Sequence, residues 1–556
     1  MSIANYAAPR LYVDIYPKGG GMYSISGNEG MILRCKVSKN IKSKTPGTFS
    51  LLLAPGGPTG VNNGHSWAEV IPPLSLVVIG MTRYKHRNIV MIGVVTSPTS
   101  SESWEVGESV ARVTTITGLD FQYFFNTFSY YTLSMLGSTV GAGLSASQNS
   151  DVGLPEALGA GLLGGSSPAT VGEDWYNMVM AGTKGILSNT QIAYQKGNVK
   201  FPDVMATVFE EYQSSVASGV SIPFSQYYLT SSGNWYDKFS LIFQFPFYEM
   251  FIITAPDNYS PYSSTGALTP ASTAITMDPK DGSGFMSASP TLVARMNPVP
   301  YCSEYSGEKF TMDKSTWENN LINYTLENTG FIESTSSFTV SYVRNLYLLI
   351  PTLYSTLNGV SNNALSSFIY TFDCFINTDS INSYGYRPEI VKTEYFSDVK
   401  GMYAKNNAAN KTNTQKLFEN LTLRIATYYE PTDKMVYGSV SMELRPDIIP
   451  GNKFTYTPFK NGQPYEFYIE GFEHEYEFGG ESKTTLTLSR GLPKSVYDNI
   501  PLLTGIHSGN AVRVNGEYDL QTSPGALTFL NFGGNSIKSA LTRLCQDFIT
   551  PQGATT

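Results

Sequence analysis

The sequence of 556 residues carries few charged side chains. Lys, Arg, Asp and Glu make up 15% of it, and the formal net charge is −8. An average soluble protein has about 25% charged residues. A low charged fraction is typical of a surface that other proteins cover, because the cores of interfaces lack charge. Since Lys and Arg form no cluster that could follow a phosphate backbone, a nucleic-acid-binding protein is not indicated.

Cysteine and histidine are also scarce. The cysteines are Cys35, Cys302, Cys374 and Cys545, and the histidines are His65, His86, His474 and His507. The cysteines lie far apart and form no C-x-x-C, which predicts free thiols in a reducing compartment. No histidine lies in an H-E-x-x-H motif and no two are close in sequence, so no zinc pair is predicted.

Long hydrophobic runs are missing. The first twenty residues have no apolar core of the kind a signal peptide needs. The longest apolar stretch, YLLIPTLYSTL, is short and is interrupted by Pro351. Since a transmembrane helix needs about 20 apolar residues, we expect a protein that is soluble when made and has no membrane contact in its free state.

What the sequence does contain is glycine, proline and aromatic residues: 50 Gly, 31 Pro and 13% aromatics. This composition is typical of short strands joined by many turns, and the length suggests roughly three or four domains. The predicted fold is mainly β with an α insertion, a multidomain α+β protein with two tube-like β-barrel modules flanking a mixed, partly helical middle region. The predicted domains are a first β-barrel module (1–118), a mainly helical, Gly/Ala-rich insertion (119–225), a mixed α/β region (226–432), a second β-barrel module (433–495) and a C-terminal extension (496–556).

The two β-rich ends resemble each other. FSLLLAP and SVSMELRP are strands that end in proline, and each is followed by an Ile-Pro pair and another strand. From Pro72 to Gly93 is 93 − 72 = 21 residues, and from Pro450 to Gly471 is 471 − 450 = 21. This repeated pattern predicts that one small module occurs twice, with Pro72 superimposed on Pro450 and Gly93 on Gly471. Each glycine is expected at a bulge or a close approach of backbones.

Motifs that could carry catalysis are weak. GAGLLG at 159–164 matches G-x-G-x-x-G, but the preceding LPEAL looks helical where a strand is needed, and Gly165 occupies the position of a P-loop lysine. Glu173 and Asp174 could act as glycosidase carboxylates, although adjacent acids at a helix start are more typical of first-turn residues that favour the helix dipole. No G-x-S-x-G elbow occurs. We therefore predict no catalytic residues, no bound metal and no cofactor.

Three glutamates alternate with other residues in YIEGFEHEYEF. In a strand, Glu473, Glu475 and Glu477 share one face, while Phe472, His474, Tyr476 and Phe478 share the other. Three carboxylates on one face repel each other, so we expect that face to be wet. A calcium site is disfavoured, since calcium prefers a wrapping loop. His474 is expected to be a hydrogen-bonded core or interface residue.

The residues from PTDKMVYGSVSMELRPDIIPG to YEFYIEGFEHEYEFGGESKTTLTLSRGLP resemble the closing β-module of tail hub proteins of tailed bacteriophages. The similarity lies in Pro450-Gly451, the segment from Phe467 to His474, Gly479-Gly480, and the segment from Thr484 to Gly491. Upstream, SYGYRPEIVKTEYF is similar to the segment that precedes it in such hubs. Residues 10–115 resemble their opening module, with Ser75 where aspartate is common. The similar segments, 10–115 and 335–492, cover about 60% of the chain.

The resemblance implies a trimeric baseplate hub with two tube-like barrels per chain and no catalytic residues. The implied partners are further copies of the chain, the tail tube protein and the central spike protein, together with the tape-measure and baseplate wedge proteins. DNA would pass through without specific binding, in a virion tail assembled in the host cytoplasm. Glu473, Glu475 and Glu477 are predicted to line the channel, with an outer solvated face as the alternative. A tail-associated cell-wall hydrolase and a receptor-binding tail protein remain alternative functions.

Overall fold

A computed structural model describes the architecture. It covers residues 8–127 and 129–130 (without 18–19, 28–29, 56–65, 84–85 and 104–110), 191–194, 197–198, 233–234, 236–237, 240, 244–256, 259, 274–275, 285–286, 288–305, 308–311, 314, 316–326, 330–351, 375–385, 387–393, 421–459, 462–493, 507–508, 513–514 and 517–518. Most of these residues lie in strands, which confirms the mainly β class. Most of the predicted helical insertion, including Glu173, Asp174 and residues 159–166, lies outside the described residues.

The strands of the first part of the chain are β1 (Arg10–Tyr16), β2 (Tyr23–Ser26), β3 (Ile32–Asn40), β4 (Thr48–Leu53), β5 (Leu76–Arg83), β6 (His86–Ser103), β7 (Ala111–Asp120), β8 (Ser129–Tyr130), β9 (Gln191–Tyr194), β10 (Gly197–Asn198) and β11 (Gly233–Asn234). Those of the middle are β12 (Tyr248–Pro256), β13 (Ala274–Ile275), β14 (Phe285–Met286), β15 (Ala288–Met296), β16 (Cys302–Tyr305), β17 (Glu308–Thr311), β18 (Asn323–Thr325), β19 (Phe331–Phe338), β20 (Leu346–Pro351), β21 (Phe375–Ile376) and β22 (Pro388–Thr393). The last are β23 (Val436–Glu443), β24 (Lys453–Tyr456), β25 (Tyr465–Glu477), β26 (Lys483–Pro493), β27 (His507–Ser508), β28 (Arg513–Val514) and β29 (Glu517–Tyr518).

Helices are short in the described residues. They include α1 (Trp67–Val70), α2 (Gln122–Thr127), α3 (Thr378–Tyr384) and α4, of which residues 421–429 are described, with 3₁₀ turns at Val340–Tyr342 and Glu430–Asp433 and a π turn at Thr316–Asn320. Ser66 and Glu69 form a capping box that starts α1. Helix α4 lies in KLFENLTLRIATYYEP, where the apolar spacing predicts a helix.

Thirteen strands form one sheet, which curls into a half-barrel. Its main path runs β19-β23-β26-β25-β3-β4-β7-β6-β5-β1-β2, with β24 beside β25 and β18 beside β24. Strands from both ends of the chain therefore belong to the same sheet. A single hydrophobic core underlies it and contains Val37 and Phe49 together with Val440 and Leu486. Among the described strands, neither predicted module closes into a barrel of its own; both are parts of this sheet.

The sheet contains the same five-stranded unit twice. We call β3, β4, β5, β6 and β7 the N-module, and β19, β23, β24, β25 and β26 the C-module. The N-module pairs in the order β3-β4-β7-β6-β5 and the C-module in the order β19-β23-β26-β25-β24, with every neighbouring pair antiparallel. Strand β19, which the sequence places in the middle region, thus belongs to the second unit.

Bulges and loop hydrogen bonds align the two modules residue by residue. The register of β6 with β7 shifts between Val95 and Ser97, and that of β25 with β26 shifts between Ile469 and Gly471. Leu74 N–H donates to the Val95 carbonyl at 2.8 Å, as Gly451 N–H donates to the Ile469 carbonyl at 2.9 Å. Because these features repeat in pairs, Ser97 is equivalent to Gly471 and Leu74 to Gly451.

The alignment by proline and glycine spacing differs from this register. With Leu74 equivalent to Gly451, the residue that matches Pro450 is Pro73, and Gly93 lies four residues before the match of Gly471. The distance from Pro73 to Ser97 is 97 − 73 = 24 residues, against 471 − 450 = 21 in the C-module. The shared spacing of 21 is a coincidence, because the two strand-to-strand connections differ in length while bulges and core side chains determine the register.

One repeated sequence motif agrees with the structural register of the two modules. The segment Thr114-Thr115-Ile116-Thr117 in β7 is equivalent to Thr484-Thr485-Leu486-Thr487 in β26, because each pairs with the same positions of the neighbouring strand. Ile116 and Leu486 point into the core. This T-T-Ile/Leu-T repeat is a sequence signal that aligns β7 with β26.

The equivalent turn residues Leu74 and Gly451 yield a stability prediction. Both have positive φ, +66° and +79°, a region that costs a residue with a Cβ roughly 1–2 kcal/mol. Leu74→Gly should therefore raise the Tm, since Leu74 is 46% exposed and little packing is lost. Gly451→Ala should lower it, because a Cβ there would lie 2.7 Å from the Phe251 ring. Thermal unfolding of both variants measures this; opposite signs are expected, and a Tm reduced by Leu74→Gly would contradict the assigned strain.

Candidate functional site

The candidate site is the face of β25 that carries the three predicted glutamates. This half of β25 lies between β26 and β3, and it pairs with β3 from Gly471 opposite Asn40 to Glu477 opposite Arg34. Glu473 forms an ion pair with Lys36 at 2.7 Å. Glu475 forms one with Arg34 and lies 3.7 Å from Lys483 on β26. The predicted alternation of faces holds along the strand.

Cations from the neighbouring strands neutralise this face. Arg34, Lys36 and Lys483 form ion pairs with Glu473 and Glu475, and these three cations equal the three carboxylates of the face in formal charge. The hydrogen bond from Arg34 lowers the pKa of Glu475, while burial opposes the shift. Glu475 is only 8% exposed, so the expectation that mutual repulsion keeps the whole face wet does not hold for it. The assignment of the three glutamates to a channel wall stays a prediction, because it depends on the axis of an assembly.

The opposite face of β25 is a core surface. Phe472, His474 and Tyr476 are buried, whereas Phe478 lies past the end of the strand and is 47% exposed. His474 Nδ1 lies 2.8 Å from Thr484 Oγ1, which also accepts a hydrogen bond from the Arg445 N–H. The Thr484 hydroxyl and Nδ1 are thus hydrogen-bonded, and burial lowers the pKa of His474 to about 3. His474 is a neutral, hydrogen-bonded core residue, as the sequence indicates.

The proline and glycine positions lie at turns and close approaches. The Pro72 carbonyl accepts a hydrogen bond from Ser75 Oγ at 2.6 Å, and Pro450 is buried beside Gly451. A Cβ on Gly93 would clash with the Leu119 carbonyl. A Cβ on Gly471 would lie 2.6 Å from the Lys39 carbonyl, which belongs to the other module. The absence of a side chain at Gly471 thus allows β25 to approach β3.

A buried polar cluster, missed by sequence reasoning, attaches the middle region to the C-module. Arg295 on β15 bonds Glu249 on β12 at 2.6 Å and the Gly451 carbonyl at 2.6 Å. The Tyr468 hydroxyl of β25 donates to the Glu249 carboxylate at 2.6 Å, and the Arg490 guanidinium lies 4.3 Å from the Tyr468 ring centre. Since these residues are up to 241 positions apart (490 − 249), no local pattern could have indicated the cluster.

The charged side chains of this cluster contact protein groups. The Glu249 carboxylate is held by Arg295 and Tyr468, so it is not presented to solvent as a reactive acid. Among the described residues, no three His, Cys, Asp or Glu side chains converge on a point that could hold a metal ion. Cys35 is a free, buried thiol whose pKa is raised by burial. No helix in the described part of the chain has the length and apolarity to span a bilayer.

Comparisons with known proteins give weak structural matches. No family profile matches the sequence, and no curated protein matches it. A tail protein from Neisseria meningitidis MC58 aligns with a TM-score of 0.40 at 10% identity, covering 87% of this chain and 97% of that one. The prophage MuSo2 43 kDa tail protein from Shewanella oneidensis aligns with a TM-score of 0.38 at 9% identity, covering 87% and 99%. Scores and identities this low establish no shared fold.

His474 should make the stability depend on pH. Its folded pKa of about 3 lies below the unfolded value near 6.5, so the unfolded chain binds more protons between these values and stability falls as the pH falls. From pH 6.5 to pH 5 this amounts to about 2 kcal/mol, at 1.36 kcal/mol per unit. In His474→Gln, whose amide can still hydrogen-bond to Thr484, this part of the pH dependence should disappear from urea denaturation curves.

Glu475→Gln is the matched control for His474→Gln. Glu475 has a folded pKa below the ordinary glutamate value of 4.5, so its contribution is present above pH 4.5 and is lost only at lower pH. The Glu475→Gln variant should therefore keep the wild-type slope between pH 6.5 and pH 5. An unchanged slope in His474→Gln would show that other groups produce it.

Proposed function

We propose that this chain is a structural hub protein of a bacteriophage tail baseplate. One observation carries the proposal: a single chain contains two modules of the same strand order, joined edge to edge in one sheet through β3 and β25. Three such chains in a ring present six modules. The ring then matches a six-fold tail tube on one side and a three-fold spike on the other, which is the symmetry problem a hub must solve.

The resemblance of the two chain ends to tail hub modules supports the same function. Its segments include strands of both modules: Phe467 to His474 on β25, Thr484 to Gly491 on β26, and the strands between residues 10 and 115. The proposed partners are two further copies of the chain, the tube protein and the spike protein, with the tape-measure and wedge proteins in contact with the assembled baseplate. The protein acts as a component of the virion tail.

The charged face of β25 fits a channel that DNA crosses without being held. In this proposal Glu473 and Glu477 face the lumen, and Arg34 and Lys36 are engaged by glutamates. Since carboxylates and cations are equal in number there, DNA meets no net positive surface. Repulsion from the carboxylates acts within a Debye length of about 8 Å at physiological salt.

The oligomeric state tests the hub proposal. Light scattering on the purified full chain, alone and mixed with its tube and spike proteins, should yield a particle with three times the mass of the chain. Trimerisation only in the presence of a partner is also consistent with the proposal, because hub and spike then assemble together. A stable dimer or hexamer would argue against a trimeric hub.

The channel assignment is tested by reversing the two more exposed glutamates. Glu473→Lys with Glu477→Lys should slow or stall DNA passage in ejection assays, while tails still assemble. Glu475 is left unchanged because its loss would leave Arg34 and Lys483 without their partner. Glu481→Lys, on the exposed turn after β25, is the matched control and should eject normally. Normal ejection by the double variant would leave Glu473 and Glu477 as solvated surface charges.

A further inference from the structure

Among the strands that the structure describes, the sheet has unpaired edges at β2, β18, β19 and part of β6. Two of these matter here: the outer edge of β19, which lies opposite its partner β23, and the part of β6 after Val95, where β7 is the one described partner. Almost every residue of β19 is exposed, including Phe331 and Phe338 at 48% and 58%. Open edges invite pairing with another chain, and natural monomers block them with charged residues. Here β19 has one charged residue, Glu333, among FIESTSSF.

The duplication relates these two edges to a junction that already exists inside the chain, the pairing of β25 with β3. Strand β6 is equivalent to β25, and β19 is equivalent to β3. Inside the chain, the second half of β25 pairs antiparallel with β3 over seven residue pairs. The counterpart of β25 in the N-module is β6, and the counterpart of β3 in the C-module is β19. Among the described strands, neither of these equivalent edges has a partner.

We propose that the open edge of β19 in one copy of this chain pairs antiparallel with residues 96–103 of β6 in the next copy. The occupant of each edge is thus a second copy of the same protein. This assignment rests on the proposed ring, because a head-to-tail contact of this kind either closes or grows into a filament. Repetition of the junction around three chains makes all six module boundaries alike.

The internal junction determines the register. Glu473 pairs with Ser38, and their equivalents are Thr99 on β6 and Ser337 on β19. Glu475 pairs with Lys36, and their equivalents are Ser101 and Thr335. Thr99 therefore faces Ser337, and Ser101 faces Thr335, across the boundary between copies. Hydroxyl side chains replace the ion pairs of the internal junction, and such Ser/Thr pairs can hydrogen-bond across strands.

The direction of the backbone groups agrees with this pairing. In the internal junction, Ile41 N–H donates to the Glu470 carbonyl and Phe478 N–H donates to the Leu33 carbonyl. Even-numbered residues of β25 therefore face β3, and by equivalence Pro98 and Ser100 present their backbones to the open edge. Proline is tolerated in a strand only where its missing N–H faces an edge. Pro98 then accepts from the Phe338 N–H without donating in return, and its ring offers the exposed Phe338 side chain an apolar contact.

Disulfide trapping tests the register. A chain with Thr99→Cys and Ser337→Cys places two thiols at a non-hydrogen-bonded pair, where the Cα atoms are about 4.5 Å apart and a disulfide fits. Mild oxidation of the full chain, alone and with the tube and spike proteins, should produce covalent dimers and trimers on non-reducing gels. Thr99→Cys with Thr335→Cys is two residues out of register on the same face and should give at least tenfold less product.

A second variant tests the edge without cysteines. The N–H of Ser334 points away from β23 by the alternation of the ladder, so Ser334→Pro removes one donor from the open edge only. Self-association measured by light scattering should weaken about tenfold or more, whereas the Tm of the isolated chain should change little. Ser334→Ala keeps the N–H and should associate like the wild type.

The outcomes separate this proposal from the hub function. Trimers that form without the Thr99–Ser337 disulfide would overturn the edge pairing and leave the hub function intact. Equal crosslinking of both cysteine pairs would overturn the register. A chain that stays monomeric even with the tube and spike proteins would overturn both proposals.

Discussion

The ladder between β3 and β25 is the constraint on which the rest of the structure depends. It joins strands that begin at residues 32 and 465 and converts two units into one sheet over one core. Gly471 permits the approach, since any Cβ there would press on the Lys39 carbonyl. The ion pairs of Lys36 with Glu473 and of Arg34 with Glu475 lie across the same boundary. Backbone hydrogen bonds, the lack of a side chain at Gly471 and the ion pairs therefore all act at the boundary between β3 and β25.

Because the module is repeated, each strand edge of one module has an equivalent edge in the other module. A strand that is paired inside the chain has an equivalent in the other module, and the equivalent is open when the chain is alone. The exposed aromatic residues Phe331 and Phe338 on β19 are consistent with an edge that becomes covered on assembly. The bulges after Val95 and after Ile469 keep the two units in the same internal register, so one geometry can serve both kinds of boundary.

Charged residues have different roles on the surface of β25 and in the buried cluster around Arg295. On the face of β25, partly exposed pairs neutralise one another, and such pairs contribute little to stability. The Arg295–Glu249–Tyr468 cluster is buried and its members hydrogen-bond to one another, so removal of one partner would leave an uncompensated polar group. It joins β12 and β15 to the C-module, and it orients the middle region with respect to the sheet.

The sequence by itself determined the mainly β class, the alternation of Glu473, Glu475 and Glu477 against His474 and Tyr476, and the buried role of His474. These are local properties, because strand periodicity and composition are readable within a few residues. Only the tertiary structure decided that the modules share one sheet, that Ser97 and not Gly93 matches Gly471, and that Arg34, Lys36 and Lys483 neutralise the glutamates. Those facts depend on which strands become neighbours, and strands hundreds of residues apart leave no trace of their pairing in the local pattern.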